Sequence, residues 1–176
     1  MTDKTRSIDF SKLTLRDALD FASIVEEEAK DRYEEFADQM EKHHNPDAAK
    51  FFRFMVVVEA KHEIALAERR KKLFGDAPRA VTRGMIFDIE APEYDEVRAN
   101  INARQALEIA LRAEQKAFAF FEAAAANVQL GDVKELFEHL REDEREHQAL
   151  VQAQIDKLPP GASKPIDDSD DDIVAH

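Results

Sequence analysis

Residues 59–62 read Glu-Ala-Lys-His and residues 144–147 read Glu-Arg-Glu-His, so one Glu-x-x-His spacing occurs twice. Each follows a Glu set among apolar positions, Glu26 in the first case and Glu114 in the second. An α-helix advances about 100° per residue, so residues three apart stand about 60° apart on one face, one turn removed. Glu59 and His62 can therefore grip one cation together, and Glu144 with His147 can grip another.

Periodicity supplies the helices this needs. Thr14 with Asp17 forms a capping pattern, and from Leu15 the apolar positions Leu19, Ala22, Val25, Ala29, Tyr33, Phe36 and Met40 recur at helical steps, predicting a first helix from about Leu15 to Lys42. Asn45-Pro46 opens a second helix and Gly75 stops it, and the short connection His43-His44-Asn45 makes the pair antiparallel. From Asp76 to Ile101 the periodicity fails around Pro78, Gly84 and Pro92, which predicts a crossover with at most a short helical turn near 93–98. Asn102 caps a third helix, and Asp132 with Glu135 predicts the start of a fourth, ending near Leu158 before Pro159-Pro160.

Glu26 and Glu114 stand 88 residues apart and Glu59 and Glu144 stand 85 apart, so the chain reads as a duplicated helical hairpin. The expectation is an all-α four-helix bundle over 14–158, with a long crossover between helices 2 and 3, after an N-terminal extension, 1–13. Residues 159–176, with Asp167-Asp168-Ser169-Asp170-Asp171-Asp172, lack a periodic apolar face and are expected to be an acidic, disordered tail. Four Glu and two His would then converge on two metal ions, as in di-iron and di-manganese carboxylate bundles.

Composition narrows the functions. A chain of 176 residues is long enough to bury one sizeable core. It contains no cysteine, which excludes disulfides, thiolate zinc sites, iron–sulfur clusters and thiol chemistry within the chain. A net charge of −13 repels nucleic acid and anionic membranes while drawing cations. No apolar run approaches the ~18–20 residues of a membrane span, so a cytoplasmic protein is expected.

Neighbouring acids compete for the ligand roles. Glu26 shares the inward face of Ala22 and Tyr33, whereas Glu27 and Glu28 rotate towards solvent; Glu114 follows Leu107 and Leu111 and precedes Phe118 and Phe121. Tyr33 is a candidate hydrogen-bonding or redox residue beside the metals, although a buried tyrosine is as often only core. His43 and His44 suit a helix C-terminus and His139 a surface position. The phenylalanines Phe51, Phe52, Phe54, Phe118, Phe120 and Phe121 are expected to fill the interior and to reach an interface.

The run Glu26-Glu27-Glu28-Ala29-Lys30-Asp31-Arg32-Tyr33 resembles the first-helix motif of rubrerythrins, in which a ligand Glu precedes a Tyr by seven positions, and Glu144-Arg145-Glu146-His147 resembles that family's Glu-x-x-His helices. The resemblance covers about 14–158 and implies a ferritin-like fold with metal ligands Glu26, Glu59, His62, Glu114, Glu144 and His147 around two iron ions, with manganese or zinc as possible substitutes. It implies reduction of hydrogen peroxide or dioxygen in oxidative-stress defence, with an external electron donor because no rubredoxin cysteines are present. Many rubrerythrins carry a further Glu three residues after the third-helix ligand. Here that position is Ala117, which leaves a ferroxidase or iron-storage role as a second reading and a metal-stabilised interaction module as a third. The long crossover also permits exchange of hairpins between protomers, and a homodimer is expected.

Overall fold

The computed structural model describes residues 9–85 and 101–159. Among these the chain forms a one-turn 3-10 helix, Phe10–Lys12, and four long α-helices without a strand: α1 (Leu15–Lys42), α2 (Pro46–Phe74), α3 (Ala103–Asn127) and α4 (Gly131–Asp156). This is the expected all-α, ferritin-like four-helix architecture. The predicted crossover from residue 86 onward and the acidic tail from residue 160 lie outside the described residues.

Three of the four helix starts are set by side chains that satisfy the first free amides. Thr14 Oγ1 accepts from Asp17 N at 3.2 Å while the Asp17 carboxylate accepts from Thr14 N at 3.1 Å. Asn45 Oδ1 accepts from Ala48 N with Pro46 beginning α2, and Asn102 and Gln105 exchange reciprocal bonds of 2.9 and 3.0 Å. The start of α4 departs from expectation. Leu130 occupies its N-cap position without a side-chain bond, and Asp132 already lies inside the first turn, where its negative charge favours the positive end of the helix.

The buried apolar residues form two clusters. In one, Ala18–Val25 of α1 meets Ala117–Ala125 of α3 and Val133–Leu140 of α4. In the other, Tyr33–Met40 of α1 meets Ala48–Met55 of α2, Ala103–Ala110 of α3 and Val151 with Ile155 of α4. The first halves of α2 and α3 therefore lie at the same end, so the chain between them must travel the length of the bundle. Each fully buried Phe or Leu in these clusters contributes about 1.5–3 kcal/mol by leaving water.

Peripheral segments are tied to α3 and α1. Phe10 packs on Phe120 at 5.5 Å between ring centroids, so residues 9–13, expected only as an extension, partly cover the core. After α2 the chain returns along α1, with Ala80 N bonded to Asp20 Oδ2 at 2.8 Å, Arg79 paired with Glu27, and Arg83 with Asp31 at 3.1 Å. Among the described residues no helix is long and apolar enough to cross a membrane.

Candidate metal centre

Between the two apolar clusters lies a polar layer. Glu26 on α1, Glu59 on α2, Glu114 on α3, and Glu144 and His147 on α4 are each at most 4% exposed, while the His62 side chain on α2 is 28% exposed. Every one of the six predicted side chains thus enters one cluster. Glu26 is buried on the inward face, whereas Glu27 and Glu28 lie at the flank, and Glu27 is taken by Arg79 and Arg83.

His147 is the hub. Its Nδ1 stands 3.3 Å from Glu59 Oε1, 3.3 Å from Glu114 Oε2 and 3.6 Å from Glu144 Oε2. His62 Nδ1 stands 3.5 Å from Glu26 Oε2, and the two imidazoles stack with centroids 5.1 Å apart and planes 12° apart. Ligand atoms of Glu59, His62 and His147 fall within 4.8 Å of one another, as do those of Glu114, Glu144 and His147. Tyr33 O–H donates a short hydrogen bond to Glu114 Oε1, reaching from the first hairpin into the second.

So many carboxylates cannot share a dry volume as ions without compensation. Burial raises Glu59 and Glu144 well above the ordinary carboxylate range, and the charges of Glu26 and Glu114 raise both further. Burial acts the same way on Glu114, yet hydrogen bonds from His147, Glu144 and Tyr33 outweigh it and lower that group to about 2. Burial lowers His147, but its bond to Glu114 and the charges of Glu59 and Glu114 more than restore it, leaving it raised. Burial and the Glu114 and Glu59 charges raise Tyr33, so its hydroxyl keeps its proton.

Cations answer the same need as those protons. Glu59 Oε1 and His62 Nδ1 are buried and make no hydrogen bond, so each has a lone pair or proton position to give. Four ionised carboxylates balance two divalent ions, and a mixed carboxylate and imidazole set suits iron, manganese or zinc. The residues fit a two-metal centre in which Glu26, Glu59, Glu114 and Glu144 supply oxygens and His62 and His147 supply nitrogens.

Two neighbouring ion pairs were not visible in the sequence. Lys30 bonds Glu63 at 2.5 Å between α1 and α2, one position from His62 along α2. Asp20, fully buried, pairs with Arg70 Nε across 50 residues. No local signal joins these partners, since each pair is made only when the helices dock. His139, by contrast, is exposed and lies near Asp143 on its own helix, as its surface reading implied.

A helical bundle with a buried carboxylate and histidine cluster contributed by all four helices defines the class of ferritin-like di-metal carboxylate proteins. Within that class the chain belongs to the rubrerythrin family, whose model matches residues 17–155. It is similar in structure to an uncharacterized conserved protein from Magnetospirillum magnetotacticum MS-1, known from a crystal structure at 2.00 Å resolution. The two are 30% identical with a TM-score of 0.69, over 84% of this chain and 97% of that one. None of the curated proteins matches the chain.

Proposed function

We propose that the protein is a di-iron oxidoreductase that reduces hydrogen peroxide or dioxygen in defence against oxidative stress, at a centre formed by Glu26, Glu59, His62, Glu114, Glu144 and His147. The observation that supports this most is the convergence of four carboxylates and two imidazoles in one buried layer. When bound, a ferrous pair supplies two electrons to one oxidant. The protein's share is to hold that charge and exclude bulk water. Tyr33 keeps one oxygen of Glu114 occupied, which orients its carboxylate and places a protonated hydroxyl beside the layer. His62, the most exposed of the six, marks the side from which oxidant and electrons arrive. An external donor is required because the chain has no cysteine with which to hold a relay iron.

One observation favours a second reading, ferroxidase or iron storage: Ala117, three residues after Glu114, is 2% exposed and brings no carboxylate to the layer. The two readings separate in one experiment. Anaerobic protein loaded with ferrous iron is mixed with peroxide or dioxygen in a stopped-flow instrument, with and without a reductant. Repeated peroxide turnover at two irons per chain supports the reductase; many irons retained as ferric product support storage and overturn it.

A further inference from the structure

Where α2 ends, the chain leaves a pocket of about 310 Å³ beside α1, open to solvent. Gly75 holds a φ of 59°, the left-handed value that favours glycine, and turns the chain so that Arg79 and Ala80 come back onto α1. The wall therefore joins stretches distant in sequence: Ser23 from α1, Arg70 and Lys71 from the end of α2, and Asp76 with Arg79 from the returning segment. None of the six candidate metal ligands lines it, although Ser23 stands about one helical turn before Glu26.

Two polar groups of this wall are unanswered among the described residues. Ser23 is 2% exposed and its Oγ makes no hydrogen bond, and Arg70 Nη2 is likewise buried without an acceptor. A buried donor left unpaired is costly, so such groups mark a place that something else completes. Arg70 is not at liberty to turn out into water, because its Nε is held by Asp20, whose other oxygen accepts from Ala80 N at 2.8 Å. Arg79 is fixed in the same way, its two terminal nitrogens on the two oxygens of Glu27. Both guanidinium groups thus have their charge balanced by a carboxylate and still keep N–H positions unused. Lys71, exposed at the rim, adds a flexible ammonium. Directed N–H groups, a hydroxyl and an ammonium around one small space form a receptor for an oxyanion.

Asp76 narrows the choice. A carboxylate in the wall repels an anion that has no hydrogen and accepts a hydrogen bond from one that keeps a proton. Near neutral pH inorganic phosphate keeps an O–H, whereas sulfate has none and a phosphate monoester has mostly lost its last proton. The negative end of the α2 dipole, about half a charge, also opposes an anion, and Lys71 in the last turn offsets it. We propose that this pocket binds inorganic phosphate, with Ser23, Arg70, Lys71 and Arg79 donating to its oxygens and Asp76 accepting from its remaining hydroxyl. The site does not rest on the metal reading.

Calorimetric titration of the full chain with sodium phosphate near neutral pH, at constant ionic strength, tests it. One phosphate per chain is expected, with sulfate and glycerol phosphate at least about tenfold weaker. Ser23→Ala should weaken phosphate binding about fivefold to tenfold. Lys71→Glu should weaken it about tenfold or more, while Lys50→Glu, about 30 Å from Arg70 along the same helix, should change nothing. Asp76→Asn should admit sulfate as well as phosphate. Arg70 is left in place because its loss would strand the buried Asp20, and the chosen variants should keep their helicity by circular dichroism. The Glu59→Ala, Glu144→Ala variant should bind phosphate as the wild type does. No uptake by the wild type, equal binding of sulfate or glycerol phosphate, binding undisturbed by Ser23→Ala and Lys71→Glu, or binding lost with the two metal-layer carboxylates would each overturn the proposal.

Discussion

The two hairpins carry the same candidate donors, a Glu and a Glu-x-x-His, at matching positions, yet the structure surrounds them unequally. His147 lies within reach of three carboxylates and its side chain is 3% exposed, whereas His62 meets Glu26 and is 28% exposed. Glu114 is anchored by Tyr33, while the residue seven positions after Glu114 is Phe121, which has no hydroxyl with which to reach Glu26 in return. Duplication therefore supplies the donor set, and the residues around it divide the labour. His147 on α4 is the buried, hydrogen-bonded anchor, and His62 on α2 is the open edge.

The largest expected effect comes from removing one carboxylate from each half. Glu59→Ala with Glu144→Ala should weaken metal binding by more than about 100-fold and abolish oxidant turnover, because losing supporting partners alone typically costs 10–100-fold. Helicity should survive, since the two apolar clusters are untouched. Metal analysis beside circular dichroism checks both parts.

Single histidine variants sharpen the contrast. His147→Ala strands three buried carboxylates, whereas water can replace part of the half-open His62. Calorimetric titration with a divalent ion should show His147→Ala losing about tenfold more affinity than His62→Ala. Equal losses would mean that the halves are equivalent.

Acid dependence follows from the same cluster. Glu59, Glu144 and His147 all bind protons more tightly folded than unfolded, so each gives stability that is complete below its unfolded value and is lost as pH rises through its raised folded value. Glu114, lowered to about 2, is ionised in both states above about pH 5 and adds no slope there. The metal-free protein should melt at progressively lower temperature from about pH 5 to about pH 8, and divalent ions should flatten the trend by replacing the protons. Thermal melts in chelator show this directly; a midpoint that climbs over that range contradicts it.

The smallest effect is expected at the tyrosine. Tyr33→Phe leaves the core volume intact but removes one bond to a charged carboxylate, worth about 1.5–3 kcal/mol in the metal-free protein. Metal affinity should fall by about tenfold at most. Phe121→Tyr, the matching change in the other half, should not rescue it.

Much of this was legible in advance because it is local. Thr14 and Asp17, Asn45 and Pro46, and Gly75 marked both ends of α2 and the start of α1 where the structure has them, and Glu-x-x-His spacing placed each pair on one helix face. The Asp132–Glu135 pattern misled by a residue or two, since Gly131 is already helical and α4 begins without a capping side chain. What could not be read is what docking creates. The Tyr33 bond to Glu114 spans 81 residues and Arg70 with Asp20 spans 50, and the unequal exposure of His62 and His147 depends on how the hairpins sit together.

The most direct test of the six-residue centre is a count of metal ions per chain after anaerobic loading with ferrous iron and removal of loose iron, made in parallel on wild type and on the Glu59→Ala, Glu144→Ala variant. Two ions per wild-type chain and fewer than one in the variant are expected. A wild type that retains no metal, or a variant that still holds two, would contradict the account.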